Sequence, residues 1–201
     1  MTNFPTLKSS GFISDAIIVD FGRKQVFLRL SRSAKLVKIL VEFVLCTGEF
    51  RVIRNARLDD VEAIHRLINA HAELDRMLFR SRAELYESLR DFMLYEASGQ
   101  VVGCCALQII WSDLAEIKSL AVQDGYQGRG IGQALTQAVI EEARQLHLPR
   151  IFCLTLERAF FEKMGFTEVA MESLPLKVWS DCARCPKQDC CDEIAMILEL
   201  E

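Results

Sequence analysis

The residues best suited to chemistry stand together as Gln127-Gly128-Arg129-Gly130-Ile131-Gly132, directly after the apolar run 117–122 and directly before the stretch 134–146. A strand that runs into glycines and then into a helix makes a cradle for phosphate. Gly130 and Gly132 carry no Cβ, so the backbone turns tightly and approaches an anion closely. The first N–H groups of a helix have no intrahelical partner and point at whatever sits there. The helix dipole adds about 0.3–1 kcal/mol for a favourably placed anion. Gln127 and Arg129 add side-chain donors at the same edge.

The spacing separates this cradle from two others. A dinucleotide site wants G-x-G-x-x-G, and a nucleoside-triphosphatase loop wants G-x-x-x-x-G-K-[ST]. What stands is Gln-x-x-Gly-x-Gly after Leu120-Ala121-Val122. This resembles the acetyl-CoA pyrophosphate loop of the GNAT family of N-acetyltransferases. The run Phe160-Phe161-Glu162-Lys163-Met164-Gly165-Phe166 looks like that family's second signature, a short helix ending in Gly165 and leading into the next strand.

Regular elements are needed to hold these residues. A strand is expected over 51–56. Asp59 or Asp60 is expected to cap a helix whose apolar residues Val61, Ile64, Leu67, Ile68 and Ala72 recur at helical spacing. A second short helix follows at about 82–90. Strands at 92–97 and 101–110 flank Ser98-Gly99-Gln100, a tight hairpin turn. Further strands are expected at 115–122, 151–155, 166–171 and 193–200, with helices over 130–146 and 157–164. The order β-α-α-β-β-β-α-β-α-β-β matches the GNAT family from residue 51 onward. It implies an α+β, three-layer fold, a mixed and mostly antiparallel central sheet flanked by helices.

Composition bounds the rest. A 201-residue chain that is 51% hydrophobic with 12 Phe can bury a sizeable core. It suits one domain, 51–201, with a small addition at 1–50. The net charge of −4 offers no basic face for nucleic acid. The longest apolar stretch, 36–45, is too short for a membrane span and carries Lys38 and Glu42. It imitates a secretory signal, but Leu45-Cys46 is a poor cleavage site. Cys104, Cys105 and Cys153 lie in apolar runs, where free Cys behaves as a small hydrophobe. That usage points to a reducing cytoplasm.

Residues 1–50 show neither helical nor strand periodicity and fit nothing in the family. Family members commonly begin Met-Ile-Arg-x-Ala, and here Val52-Ile53-Arg54-Asn55-Ala56 stands. Valine codons include a bacterial start, so translation from Val52 is one expectation and a flexible arm the other. Peptides from residues 1–50 in a mass spectrum of the native protein decide between them.

The C-terminal segment 172–193 narrows the resemblance. Leu174-Pro175-Leu176-Lys177-Val178-Trp179, Cys185-Pro186-Lys187 and Cys191-Asp192-Glu193-Ile194-Ala195-Met196, with Ala115-Glu116-Ile117-Lys118, are similar to short bacterial amino-acid N-acetyltransferases of the N-acetylglutamate synthase type. The resemblance implies transfer of an acetyl group from acetyl-CoA to the α-amine of a small amino acid, with L-glutamate and the first step of arginine biosynthesis as the leading case. It implies that the pantetheine arm lies along Leu120-Ala121-Val122, where a backbone N–H polarises the thioester oxygen. Glu116 is the candidate general base, directly or through water, since a partly buried carboxylate with a raised pKa suits proton removal near neutrality. The acceptor carboxylates want cations: Lys118, Arg80 and Arg82, with Lys177 as another. Many family members place Tyr where Phe161 stands, so the thiolate leaves unaided or Tyr126 or Tyr95 assists.

Other readings stay open: another small amine or a protein N-terminus as acceptor, a non-catalytic acyl-CoA sensor, or a zinc-thiolate interaction module. The last rests on Cys182-x-x-Cys185 with Cys190-Cys191, whose crowding is awkward for tetrahedral zinc. Incidental thiols or a redox disulfide are the competing readings, with Cys182, Cys185 and Cys191 the weak metal candidates. His65, His71 and His147 read as structural or exposed, and Glu62, Glu73 and Glu87 as solvated. A small-molecule partner is expected, with no nucleic acid or membrane; a homodimer is compatible with the chain.

Overall fold

The computed structural model describes residues 16–21, 24–29, 51–175, 183, 185 and 187–200. One sheet runs through all of them in the order β2-β1-β3-β4-β5-β6-β7-β9-β8. Its strands are β1 (Ala16–Phe21), β2 (Lys24–Arg29), β3 (Arg51–Asn55), β4 (Phe92–Ala97), β5 (Gln100–Trp111), β6 (Leu114–Val122), β7 (Arg150–Thr155), β8 (Thr167–Val169) and β9 (Ile194–Glu199). The helices are α1 (Val61–Ala72), α2 (Arg82–Glu87), α3 (Ile131–Gln145) and α4 (Arg158–Lys163). From Arg51 the element order is the one expected from sequence. Among the described residues only β6 and β7 pair in parallel, and every other neighbouring pair is antiparallel.

The hairpin β1–β2 has no counterpart in the sequence reading. Its two short runs, AIIVDF and KQVFLR, are too continuous in apolar character to show a period of two. β1 meets the sheet where Ala16 lies opposite Ile53.

Helices cover both faces. On one face, α3 packs Ile131, Ala134, Leu135, Val139, Ile140 and Ala143 against the sheet, and Phe161 and Phe166 extend the same cluster. On the other, Val61, Ile64, Leu67 and Ile68 of α1 join Leu85 of α2 over Phe92, Leu94, Cys104, Ala106 and Ala121. Burying each such aliphatic side chain contributes about 1.5–3 kcal/mol. A third, smaller cluster of Ile110, Leu114, Phe152, Leu174 and Ala195 lies farther along the sheet.

Local chemistry explains the joints. Ser98 and Gly99 form a two-residue hairpin with φ of 50° and 79°, matching the twist of β4 and β5. The short helix α4 closes as a Schellman motif: Gly165 N–H donates to Glu162 O at 3.0 Å and Phe166 N–H to Phe161 O at 3.1 Å, with Gly165 at φ 91°. The cap of α1 departs from expectation. Asp60 occupies the cap position without a side-chain cap bond. Its carboxylate instead accepts from Arg54 Nη1 at 2.7 Å, Arg54 Nη2 at 2.9 Å and Arg57 N–H at 2.7 Å. A bidentate guanidinium is a stronger partner than one helix amide, so tertiary pairing wins.

Candidate active site

The glycine loop sits where it was expected, at the N-terminus of α3. Gly130 is the cap residue with φ 80°, a left-handed conformation that side chains disfavour, and Gly128 has φ 72°. Among the described residues no side chain caps α3, and its first turn holds no acidic residue. The leading amides of a 15-residue helix are thereby left to an anion. The two side-chain donors are engaged elsewhere. Gln127 Nε2 donates to Val122 O and to Asp124 Oδ1, each at 3.1 Å. The Arg129 guanidinium lies 5.1 Å above the centre of the Tyr126 ring. Tyr126, which the sequence offered as a proton donor, here packs against the loop's arginine.

Beside the loop the sheet splits. β6 and β7 pair at Ala115–Ile151 and Glu116–Phe152, and β6 runs on to Val122 without that partner. Gln123 N–H donates to Val102 O on β5 at 2.8 Å. Backbone direction alternates along a strand, so Leu120 presents its amide and carbonyl to the open edge and Val122 its amide, while the Val122 carbonyl accepts from Gln127 and His71. Ala121 differs from the expectation made for it: it pairs with Cys104, and its methyl packs under α1. His71 also donates from Nε2 to Val122 O at 2.9 Å, a structural contact that anchors the end of β6.

A bulge sets the phase of β6. Ser119 has φ 52°, and the register with β5 slips between Lys118 and Ala121. A one-residue insertion flips every later side chain to the opposite face. Ile117 packs in the α3 cluster before the bulge, while Leu120 and Val122 pack there after it. Glu116 and Lys118, which precede it, face the other way.

That face carries the polar groups. Glu116 is only 6% exposed. Lys118 Nζ lies 3.3 Å from Glu116 Oε2 and donates to Gln108 Oε1 at 3.1 Å. Glu193, which the sequence reading left unassigned, immediately precedes β9 and is partly buried. Burial pushes its carboxyl above the usual carboxylate range and Asp192 adds to this, while Lys187 and Lys118 oppose it. Cys153 is buried nearby; burial raises its thiol strongly and Glu116 and Glu193 raise it further. Cys104 is likewise pushed up to about 12 by burial. Burial keeps these two thiols protonated and makes them poor nucleophiles.

The remaining candidates divide. Arg82 spends its guanidinium on Glu62, with Nε–Oε1 at 2.6 Å and Nη2–Oε2 at 2.9 Å, on an exposed surface. Arg80 is fixed through its backbone: its N–H donates to Asn69 Oδ1 at 3.0 Å and Asn69 Nδ2 donates to its carbonyl at 3.1 Å. Phe161 is core, edge-on to Phe160 and Phe166. Tyr95 is buried on β4, two strands from the split. Lys177 and Cys182 lie outside the described residues. Cys185 accepts from Lys187 N–H at 3.4 Å, and Cys190 and Cys191 are exposed. Among the described residues no three His, Cys, Asp or Glu side chains are placed to hold a metal ion. No helix there is long and apolar enough to cross a membrane.

An open cleft of about 620 Å³ lies between α1 and the β4–β5 turn, lined in part by Arg66, His71, Gln100, Gln123 and Asp124. It excludes Glu116 and Lys118. Convergent polar groups, not volume, mark the site, so the cleft is an approach to the end of β6.

Comparison with known proteins agrees with this geometry. Residues 58–166 match the acetyltransferase (GNAT) family. An uncharacterised N-acetyltransferase from Chlorobaculum tepidum is 42% identical over 148 residues, covering 74% of this chain and 96% of that protein. An amino-acid acetyltransferase from Mycobacterium tuberculosis is 39% identical over 136 residues, covering 66% and 78%. Among solved structures, N-acetylglutamate synthase from Neisseria gonorrhoeae, complexed with coenzyme A and N-acetyl-glutamate, superposes with a TM-score of 0.69 at 29% identity, over 76% of this chain and 35% of that one.

Proposed function

This chain belongs to the acetyltransferase (GNAT) family, and from that premise we propose that it acetylates the α-amine of L-glutamate, the entry to arginine biosynthesis. That it is an acetyl-CoA-dependent N-acetyltransferase of the amino-acid acetyltransferase type follows from its relatives. The acceptor is our reading. One observation carries it: Lys118 and Glu116, a cation and a carboxylate 3.3 Å apart, occupy one face of β6 beside the split. An α-amino acid presents the complementary pair, carboxylate and ammonium. The name of the Neisseria protein supports glutamate as the particular acid.

The residues fit the donor. The α3 amides at Ile131 and Gly132, with Gly128 and Gly130 shaping the turn, take the diphosphate, and Gln127 and Arg129 reach it once released from Val122 and Tyr126. The open edge at Leu120 and Val122 takes the pantetheine arm and directs an N–H at the thioester oxygen. Oriented donors of this kind are worth about 3 kcal/mol in a transition state. Acetyl-CoA itself supplies the activated acyl group. Lys118 holds the acceptor carboxylate and Glu116 meets its ammonium.

The test is thiol release from acetyl-CoA across a panel of amino acids. Turnover dependent on L-glutamate supports the reading. Turnover with another amine, or coenzyme A binding without any turnover, overturns it.

A further inference from the structure

Gln108 on β5 stands directly opposite Glu116 on β6, and Ala106 stands opposite Lys118. Residues paired across neighbouring strands share a face, and every second residue of a strand returns to it. Gln108, Glu116 and Lys118 therefore share one face, while Leu107 and Ile117 turn to the α3 cluster on the other. Two contacts close the group. Lys118 Nζ donates to Gln108 Oε1 at 3.1 Å and lies 3.3 Å from Glu116 Oε2.

An ammonium carries donors only, so it meets the oxygen of a carboxamide and not its nitrogen. That bond fixes which way Gln108 points. Its Nε2, with two N–H donors, forms the other arm of the carboxamide, and no hydrogen bond engages it among the described residues. The side chain is half-buried, where a donor is costly to leave unpaired. Charge explains why a neutral residue stands there. The Glu116 carboxylate already offsets the Lys118 ammonium. A carboxamide adds donors beside Lys118 without adding an anion that would repel an incoming carboxylate.

Building on the acceptor reaction proposed above, we infer that Gln108 is a specificity-determining residue of that reaction: its Nε2 donates to one oxygen of the acceptor carboxylate whose other oxygen Lys118 holds. Gln108 thus acts twice, orienting Lys118 through its oxygen and reading the carboxylate through its nitrogen. An amine without a carboxylate leaves both donors unpaired, and a site built for hydrogen bonds rejects such an analogue. Glu116 stays free to meet the ammonium.

The experiment measures acceptor KM at saturating acetyl-CoA for the full chain and for Q108M, Q108E, K118M and the double variant Q108M/K118M. The acceptor is L-glutamate or whichever amino acid of the panel is turned over. Where turnover is too slow, acceptor Kd is read by calorimetry with coenzyme A bound. Q108M keeps the length of the side chain and loses both polar atoms. It is expected to raise acceptor KM roughly 10-fold, with coenzyme A affinity within about twofold of the parent and Tm unchanged. Q108E keeps an oxygen for Lys118 but replaces the donor with an anion, and should raise KM at least as much. The double variant separates a direct contact from an indirect one. Q108M should still raise KM about fivefold or more in the K118M background, because the carboxamide makes its own bond to the acceptor. A KM within about twofold of the parent in Q108M or Q108E overturns the role. So does an effect of Q108M that vanishes in the K118M background, or one that tracks lost coenzyme A binding or a lowered Tm. Turnover of an amino acid other than L-glutamate with these same shifts overturns the choice of glutamate and leaves Gln108 its role. A parent protein that turns over no amino acid overturns both.

Discussion

The two ends of the split in the sheet are built from different materials. At the α3 end the donors are backbone: amides at a helix start, a strand edge, and glycines whose φ values near 70–80° shape the turn. At the β6–β7 junction the groups are side chains, and none of them works alone. Gln108 comes from one strand and Glu116 and Lys118 from its neighbour, and their mutual distances depend on register. On the proposed function, the comparison teaches that binding of the acyl carrier is local, while choice of acceptor is tertiary. Substitutions should therefore divide cleanly by which ligand they affect.

The largest effect is expected at the backbone end. Gly130→Val forces a β-branched residue into the left-handed region at a cost of about 3 kcal/mol, so coenzyme A should bind roughly 100-fold more weakly by calorimetry. The acceptor KM at saturating acetyl-CoA should change far less; an equal rise in both would erase the division. Next comes the side-chain end. Lys118→Met removes a charged hydrogen bond worth about 2 kcal/mol, raising the acceptor KM roughly 30-fold with coenzyme A affinity unchanged. Lys118→Arg should recover part of it.

A third substitution affects neither ligand. Burial pushes the Asp60 carboxyl up, but the Arg54 bonds and the Arg57 N–H outweigh it and hold it below the usual carboxylate range. Its folded value is depressed, so its stabilisation is present above the unfolded value and is lost as pH falls through the folded one. Asp60→Asn should cost about 3 kcal/mol in urea unfolding at pH 7, because Arg54 is left beside only part of its pair. That deficit should shrink in acid, and both ligand affinities should stay put. The smallest effect is expected for Arg82→Ala. Its exposed pairing with Glu62 predicts an acceptor KM within about twofold of the parent. A tenfold rise would return Arg82 to the acceptor site.

Much of this arrangement was legible without coordinates. Apolar runs bounded by turn residues, and apolar residues at helical spacing, located the strands and α-helices from Arg51 on. The hairpin before Arg51 was not, since its runs lack a period. Gly130 and Gly165 announced turns because few other residues adopt their φ values. The role of Ala121 was misplaced because the bulge at Ser119 shifts phase, and a lone serine gives no signal of that. The meeting of Lys118 with Gln108 required the pairing of β5 with β6, which no residue of either strand announces by itself.

By itself, then, the amino-acid order determined a glycine turn ahead of a long helix, hence an anion cradle, because donors and conformation there belong to adjacent residues. The tertiary structure decided which charges share the acceptor face and which are spent elsewhere, as Arg82 is on Glu62 and Asp60 on Arg54. The reason is physical: backbone amides are placed by local dihedral angles, whereas an ion pair forms wherever folding brings opposite charges within reach.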